Sequence, residues 1–291
     1  MTTRYVGKGG DDANNGLTWA LRKLTLNGAE DTPVVAGDTA YVGAGTYREQ
    51  LTVDVSGGAG TPITYIGDYS GDNTDGVGGV VRITGSDDDI AQTRDNCIYG
   101  TGKDYRTFQG FKLDTSSSAC LRLDGGQNLI FDKIYVDVNR YPIYMSNPST
   151  DITIKNCYLV SAKNTAVISA ISAGGLDDRA MSIENCILRG YVGLRSDRIG
   201  GITIKNCIFP NNYYGIQVGV ALTAAQTITV NNSIFCGAMF RGMAATALGE
   251  IIEDYNSFYG NATDRANVAV GANSNTYPPL FDSRWFFETV R

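Results

Sequence analysis

The groups in this sequence best placed to do chemistry are carboxylates that gather in its middle. Asp104, Asp114, Asp124, Asp132 and Asp137 lie there, with Lys133 and Arg140 beside them. On a shallow groove such a set suits proton abstraction next to a uronate, with one cationic side chain as base and Ca²⁺ neutralising the acid. The groove candidates are Asp114, Asp132, Lys133, Asp137 and Arg140. Two tighter acidic groups, Asp87-Asp88-Asp89 and Asp177-Asp178, could supply the paired carboxylates that a glycosidase needs. Their Gly and Ser neighbours read instead as solvated turns. Asp68, Asp72 and Asp75 sit in an oxygen-rich, Gly-punctuated stretch that resembles a Ca²⁺ loop but lacks the distant Glu of an EF-hand. Histidine is absent, which removes the commonest general base and metal ligand. No catalytic set is assigned on this reading, and no cofactor is expected, Ca²⁺ being the one candidate.

The elements that must position these groups announce themselves by repetition. The phrases Ile152-Thr-Ile-Lys-Asn-Cys-Tyr-Leu159, Met181-Ser-Ile-Glu-Asn-Cys-Ile-Leu188, Ile202-Thr-Ile-Lys-Asn-Cys-Ile-Phe209 and Ile228-Thr-Val-Asn-Asn-Ser-Ile-Phe235 are copies of one another. Anchors at Gly110, Lys133, Asn156, Asn185, Asn206, Asn232 and Asn256 are separated by 23, 23, 29, 21, 26 and 24 residues. A variable period near 24, with an apolar rhythm of two, fits a coil of three short strands and excludes helical repeats. The expected fold is therefore all-β: a single-stranded right-handed parallel β-helix of about ten coils. Residues 1–35 form an N-terminal cap with a short helix over Thr18–Gly28, residues 36–270 form the solenoid, and residues 271–291 form a non-repeating aromatic tail.

Within each phrase, Ile-x-Ile points inward, the chain bends at Asn, and Cys-x-Leu/Phe points inward again. Asn tolerates the left-handed conformation that a sharp bend requires. Stacking then predicts an amide ladder of Asn156, Asn185, Asn206, Asn232 and Asn256, beside a column of Cys157, Cys186 and Cys207. The cysteines are read as inert core thiols, since the chain is long for a disulfide framework and their spacing is not that of a zinc site.

Charge narrows the partners. The net charge is −6 with 24 Lys and Arg, and no basic run could track a phosphate backbone, so nucleic acid is not expected. No window of about 20 apolar residues suggests a membrane span. Tyr191, Tyr213 and Tyr214 are candidates for a line of sugar-stacking aromatics, and Tyr277, Phe281, Trp285, Phe286 and Phe287 for a subunit interface.

Arg4-Tyr-Val-Gly-Lys-Gly-Gly-Asp-Asp12, Gly16 to Ala29, and Ala36-Gly-Asp-Thr-Ala-Tyr-Val-Gly-Ala-Gly-Thr-Tyr47 resemble the opening of pectate-lyase-like β-helix proteins. The Thr18-Trp-Ala-Leu-Arg-Lys-Leu-Thr-Leu26 variant is similar to β-helix proteins of tailed-phage virions. That resemblance implies a structural protein on the capsid surface or tail, most simply a decoration protein. It would assemble as a homotrimer against other virion proteins such as the major capsid protein, with surface polysaccharide as a further partner. The alternative it leaves is a tailspike-like polysaccharide lyase or hydrolase, or a carbohydrate-binding module. The sequence lacks the Asn-x-Asp, Gly-His-Gly and Arg-x-Lys motifs of polygalacturonase-like enzymes.

Overall fold

A computed structural model describes residues 1–31, 34–138, 140–145, 149–162, 165–171, 177–222 and 226–278. The repeating phrases build three parallel sheets, visited in the same order by every coil. The first sheet has ten strands and the second and third have nine each, so nine three-strand coils stack behind the opening strand Thr3–Val6. This agrees with the expected solenoid to within one coil. Every strand pairs in parallel with its counterpart one coil away, because each coil returns the chain to the same face.

Register follows from the alternation of apolar and polar residues. On the first sheet Leu129, Ile152, Met181, Ile202 and Ile228 align as one buried row, and Phe131, Ile154, Ile183, Ile204 and Val230 as another. A slip of one residue would turn both rows outward. Phe209, Phe235 and Phe258 stack below the second sheet with centroids 4.5 and 5.1 Å apart.

The bend between first and second sheets is left-handed at Gly110, Lys133, Asn156, Asn185, Asn206, Asn232 and Tyr255, with φ between 51° and 78°. Asn185 Nδ2 donates to Asn156 Oδ1 at 3.3 Å, and Asn206 Nδ2 to Asn185 Oδ1 at 3.2 Å. The ladder is solvent-exposed, so it supports a bend rather than satisfying buried groups. Asn256 is not part of it. The last coil is offset by one residue, and Tyr255 occupies the left-handed position. Asn256 falls one place later, fully buried, in the column of Cys157, Cys186, Cys207 and Ser233. There its Oδ1 accepts from Ser233 N at 2.8 Å, as Ser233 Oγ accepts from Cys207 N at 3.1 Å. Burial pushes the Cys157 thiol up, which keeps it protonated and inert.

The N-terminal cap also differs from expectation. A 3₁₀ turn, Trp19–Leu21, precedes an α-helix at Leu26–Asp31, in place of one helix over Thr18–Gly28. Arg22 is extended, and Asp12 Oδ1 accepts from Leu24 N and Thr25 N, which breaks helical continuity. Leu21 and Leu24 therefore stay exposed, while Leu26, Ala29 and Glu30 close the first coil.

Candidate functional site

The five groove candidates do not converge. Asp132 lies on the outer face of the first sheet, where it accepts from Asn156 Nδ2 at 2.8 Å. Lys133 is exposed at the first bend, and Arg140, between the second and third sheets, donates to Ser117 O at 3.1 Å. Asp114 and Asp137 are register partners on the second sheet, but Asp114 is locked in a two-pronged pair with Arg82 at 2.7 and 2.8 Å. Spacing along the chain placed these residues near one another, and the coil then distributed them over different faces.

The acidic groups at Asp87–Asp89 and Asp68–Asp75 are committed to turns and ion pairs. Hydrogen bonds from Arg48 and Arg82 hold the Asp89 carboxyl down at about 2. Asp87 pairs with Arg94 at 2.6 Å, and Asp88 accepts from Ile90 N and Ala91 N. Asp177 and Asp178 begin a strand, Asp177–Glu184, and not a turn. Asp68 receives Ser70 Oγ, Asn73 N and Thr74 Oγ1, and Asp75 receives Val77 N. Asp68 and Asp75 thus organise a turn in which Asp72 N donates to Ser70 Oγ, and among the described residues no group of three or more metal-ligating side chains forms.

Tyr191, Tyr213 and Phe240 do form a line between the second and third sheets, with centroids 4.7 and 5.2 Å apart and nearly parallel planes. Each ring covers the face of the next, and Tyr214 packs edge-on at 5.2 Å. A sugar stacks on an open ring face, so this column stiffens the bend and offers little to a ligand. Tyr277 is 75% exposed, whereas Phe281, Trp285, Phe286 and Phe287 lie outside the described residues.

The outer face of the first sheet carries an open cleft of about 440 Å³, lined by Asn128, Asp151, Thr153, Ser182, Glu184 and Lys205 among others. Its hydroxyls and alternating charges suit polyols, but it brings together neither a guanidinium nor a phenol.

Those groups meet on the third sheet. Strand alternation there sends Ile98, Leu121 and Ile143 inward, leaving Tyr99, Arg122 and Tyr144 side by side on the outside of three successive coils. Arg122 Nε donates to Asp124 Oδ2 at 2.8 Å, and its guanidinium lies 5.3 Å from the Tyr144 ring centroid. Burial opposes the Arg122 charge, but the hydrogen bond and the charge of Asp124 outweigh it and hold the group above its ordinary value. Thr101 Oγ1 donates to Tyr99 Oη at 3.2 Å and steadies the phenol beside Arg122. The Arg122 side chain keeps 33% of its exposure while Asp124 keeps 5%, so the cation is presented and the anchor hidden. Asp124 was legible among the central carboxylates; Tyr99, Arg122 and Tyr144 were not. Their separations of 23 and 22 residues match the coil period and were the signal that could have found them.

A family model described as "Right handed beta helix region" matches residues 96–263. The chain belongs to that right-handed β-helix family. No curated protein matches it in sequence. Among solved structures, this β-helix is similar to a rhamnogalacturonan lyase, with 20% identity and a TM-score of 0.68 over 89% of this chain and 74% of that one. It is also similar to pectate lyase Pel9A, with 14% identity and a TM-score of 0.60 over 95% and 79% of the two chains. An alginate lyase from Paenibacillus sp. str. FPU-7 gives 15% identity and a TM-score of 0.57 over 87% and 96%. At these identities the likeness is one of fold.

Proposed function

We propose that this β-helix is a polysaccharide lyase that binds a uronate-containing chain across the outer face of its third sheet. The observation that carries this reading is the row Tyr99, Arg122 and Tyr144, with Arg122 anchored by the buried Asp124. Rhamnogalacturonan, pectate and alginate, the polymers in the names of the three similar structures, share the uronate carboxylate.

Arg122 supplies a fork of donors for that carboxylate and stabilises the charge that builds up on it as the neighbouring carbon loses its proton. Tyr99 Oη takes the proton from C5 as its own phenolic proton passes to water. The C5–H electron pair becomes the C4=C5 double bond, the C4–O4 bond breaks, and the departing oxygen leaves with a proton from water. Tyr144 stacks on Arg122 and positions it.

The test is incubation with polygalacturonate, rhamnogalacturonan and alginate, with and without Ca²⁺, following the ultraviolet absorbance of the new double bond. Arg122→Gln is expected to lose roughly 10²–10³ in rate, as for loss of one preorganised charge stabiliser. Tyr99→Phe should lose roughly 10²–10⁴, as for loss of a general base. Absence of cleavage on all three polymers would reject the lyase assignment.

The virion reading retains one observation in its favour. Tyr135, Tyr158, Ile187, Ile208 and Ile234 form a partly exposed apolar stripe down the outer face of the second sheet. A lateral contact between copies in a trimer would cover it, and the mass in solution by light scattering distinguishes that assembly from a monomer.

A further inference from the structure

The first sheet carries a polar surface of its own, on a different face from the row on the third. Alternation along its strands sends Ile130, Thr153, Ser182 and Thr203 outward as one register-aligned row, with Asp132, Lys155, Glu184 and Lys205 as the next. Nearer the strand starts, Asn128, Asp151 and Gly201 have left-handed backbone with φ of 55°, 55° and 67°, a conformation that Asn, Asp and Gly tolerate best. The ladder between Asp177–Glu184 and Ile199–Lys205 shifts register between Asp178 and Met181, where the small residues Ala180 and Gly201 stand. Little side chain fills the surface there, and the cleft of about 440 Å³ opens over it.

The groups that line this cleft are unengaged. Just outside it, Asp132 accepts from Asn156 Nδ2 at 2.8 Å and lies 3.9 Å from Lys155 Nζ. Inside it, Ser182 Oγ donates to Glu184 Oε1 at 2.6 Å. The side chains of Asn128, Asp151, Thr153, Thr203 and Lys205 have no hydrogen-bond or ion-pair partner among the described residues, and all are at least partly exposed.

We propose that this cleft is a binding site for a neutral sugar, and the proposal stands whether or not the third sheet cleaves a polyuronate. The carboxylates of Asp151 and Glu184 accept from ring hydroxyls, the Lys205 ammonium donates to ring oxygens, and the Thr153 and Thr203 hydroxyls do either. Two carboxylates against one ammonium leave the lining net negative, which disfavours a uronate and selects an uncharged ring. Successive rungs stand about 4.8 Å apart, so one pyranose ring meets hydroxyls of neighbouring coils, while Ile130 in the same row gives apolar contact to its C–H face. The volume falls within the range of small-ligand sites.

The experiment is titration of the full chain, labelled at its threonine methyl groups, with lactose, cellobiose and mannobiose, and with digalacturonate as the acidic counterpart. At least one neutral disaccharide is expected to move the Thr153 and Thr203 methyl resonances saturably, and digalacturonate to leave them in place. Asp151→Asn keeps the side-chain size and the tolerance for left-handed backbone but loses the charge. It should weaken binding about tenfold, as for loss of a hydrogen bond to a charged group. Thr203→Val removes one hydroxyl at nearly constant volume and should weaken binding about threefold, with an unchanged thermal midpoint as the control for folding in both variants. Arg122→Gln should leave the neutral-sugar affinity unchanged. Three results would each overturn the proposal: no response to any neutral disaccharide, an equal response to digalacturonate, or undiminished binding by Asp151→Asn. A loss of neutral-sugar binding in Arg122→Gln would move the ligand to the third sheet and overturn it as well. Saturable binding that Asp151→Asn weakens, in a protein that cleaves no polyuronate, would uphold it and reject the lyase reading.

Discussion

Lys133 occupies a backbone position that its side chain does not favour. Its φ of 53° puts it in the left-handed region, in the column where Asn156, Asn185, Asn206 and Asn232 stand in later coils. Left-handed backbone costs a residue other than Gly or Asn about 1 kcal/mol or more, and Lys133 is exposed, so no packing recovers the cost. Asparagine at this position would face Asn156, whose Nδ2 now donates to Asp132 Oδ1. Lys133→Asn is therefore expected to stabilise the protein by up to about 1 kcal/mol, the cost of the left-handed conformation that asparagine relieves, with no change in polysaccharide cleavage. Urea denaturation measures the first and the double-bond assay the second. A loss of activity would mean that Lys133 touches substrate after all, contrary to its position away from the third sheet.

At the scale of the element, the coil was readable wherever its phrase was complete. Ile-x-Ile-x-Asn-Cys-x-Leu fixes two inward rows and a bend in one stroke, and Asn156 to Asn232 fell where spacing put them. The final coil misled because Asn256 imitates the ladder residue, whereas the strand Ile251–Asp254 sets a register in which Tyr255 takes the bend. The row of Tyr99, Arg122 and Tyr144 stayed hidden for another reason. Its members are more than twenty residues apart in sequence and become neighbours only through third-sheet register, which turn lengths control. The N-terminal cap shows the same dependence on distant partners. Glu30 on the helix Leu26–Asp31 accepts from Asp54 N and Val55 N through Oε1, and from Tyr65 Oη and Arg106 through Oε2, at 2.7 to 3.3 Å. The Arg106 and Glu30 side chains are at most 1% exposed. Glu30→Ala strands the Arg106 charge and is expected to cost about 3–5 kcal/mol by chemical denaturation, the usual result of breaking a buried pair. Joint replacement by Glu30→Met and Arg106→Met should recover only part of that loss, since the stranded charge is removed while Asp54 N, Val55 N and Tyr65 Oη stay without their acceptor. A single-variant loss below about 1 kcal/mol would contradict a clamping role for Glu30.

For the whole molecule, a stack of coils is only as secure as its ends. Interior strands have a neighbour on both sides, whereas a terminal coil has one and depends on its cap. Glu30 closes one end, and Glu253 closes the other from an inward position that earlier coils fill with Phe131, Ile154, Ile183, Ile204 and Val230. Burial raises the Glu253 proton affinity, but hydrogen bonds from Asn256 Nδ2, Ser274 Oγ, Gly271 N and Arg265 Nε outweigh it and leave the carboxyl below its ordinary range. A carboxylate depressed in the folded state contributes in full above the unfolded value of about 4.3. That contribution drains away as pH falls through its own lower value. Acid should therefore loosen the molecule from its C-terminal end. Hydrogen exchange corrected for intrinsic rates is expected to show, as pH falls below about 4.3, falling protection in Ile251–Asp254 and Ser257–Tyr259 while Thr150–Lys155 stays protected. Glu253→Gln should reproduce that local loss at neutral pH and make it insensitive to acid. If protection fell evenly along the stack, or the variant frayed no more than the parent, the end would not be held by this carboxylate, and cooperativity would extend over all coils.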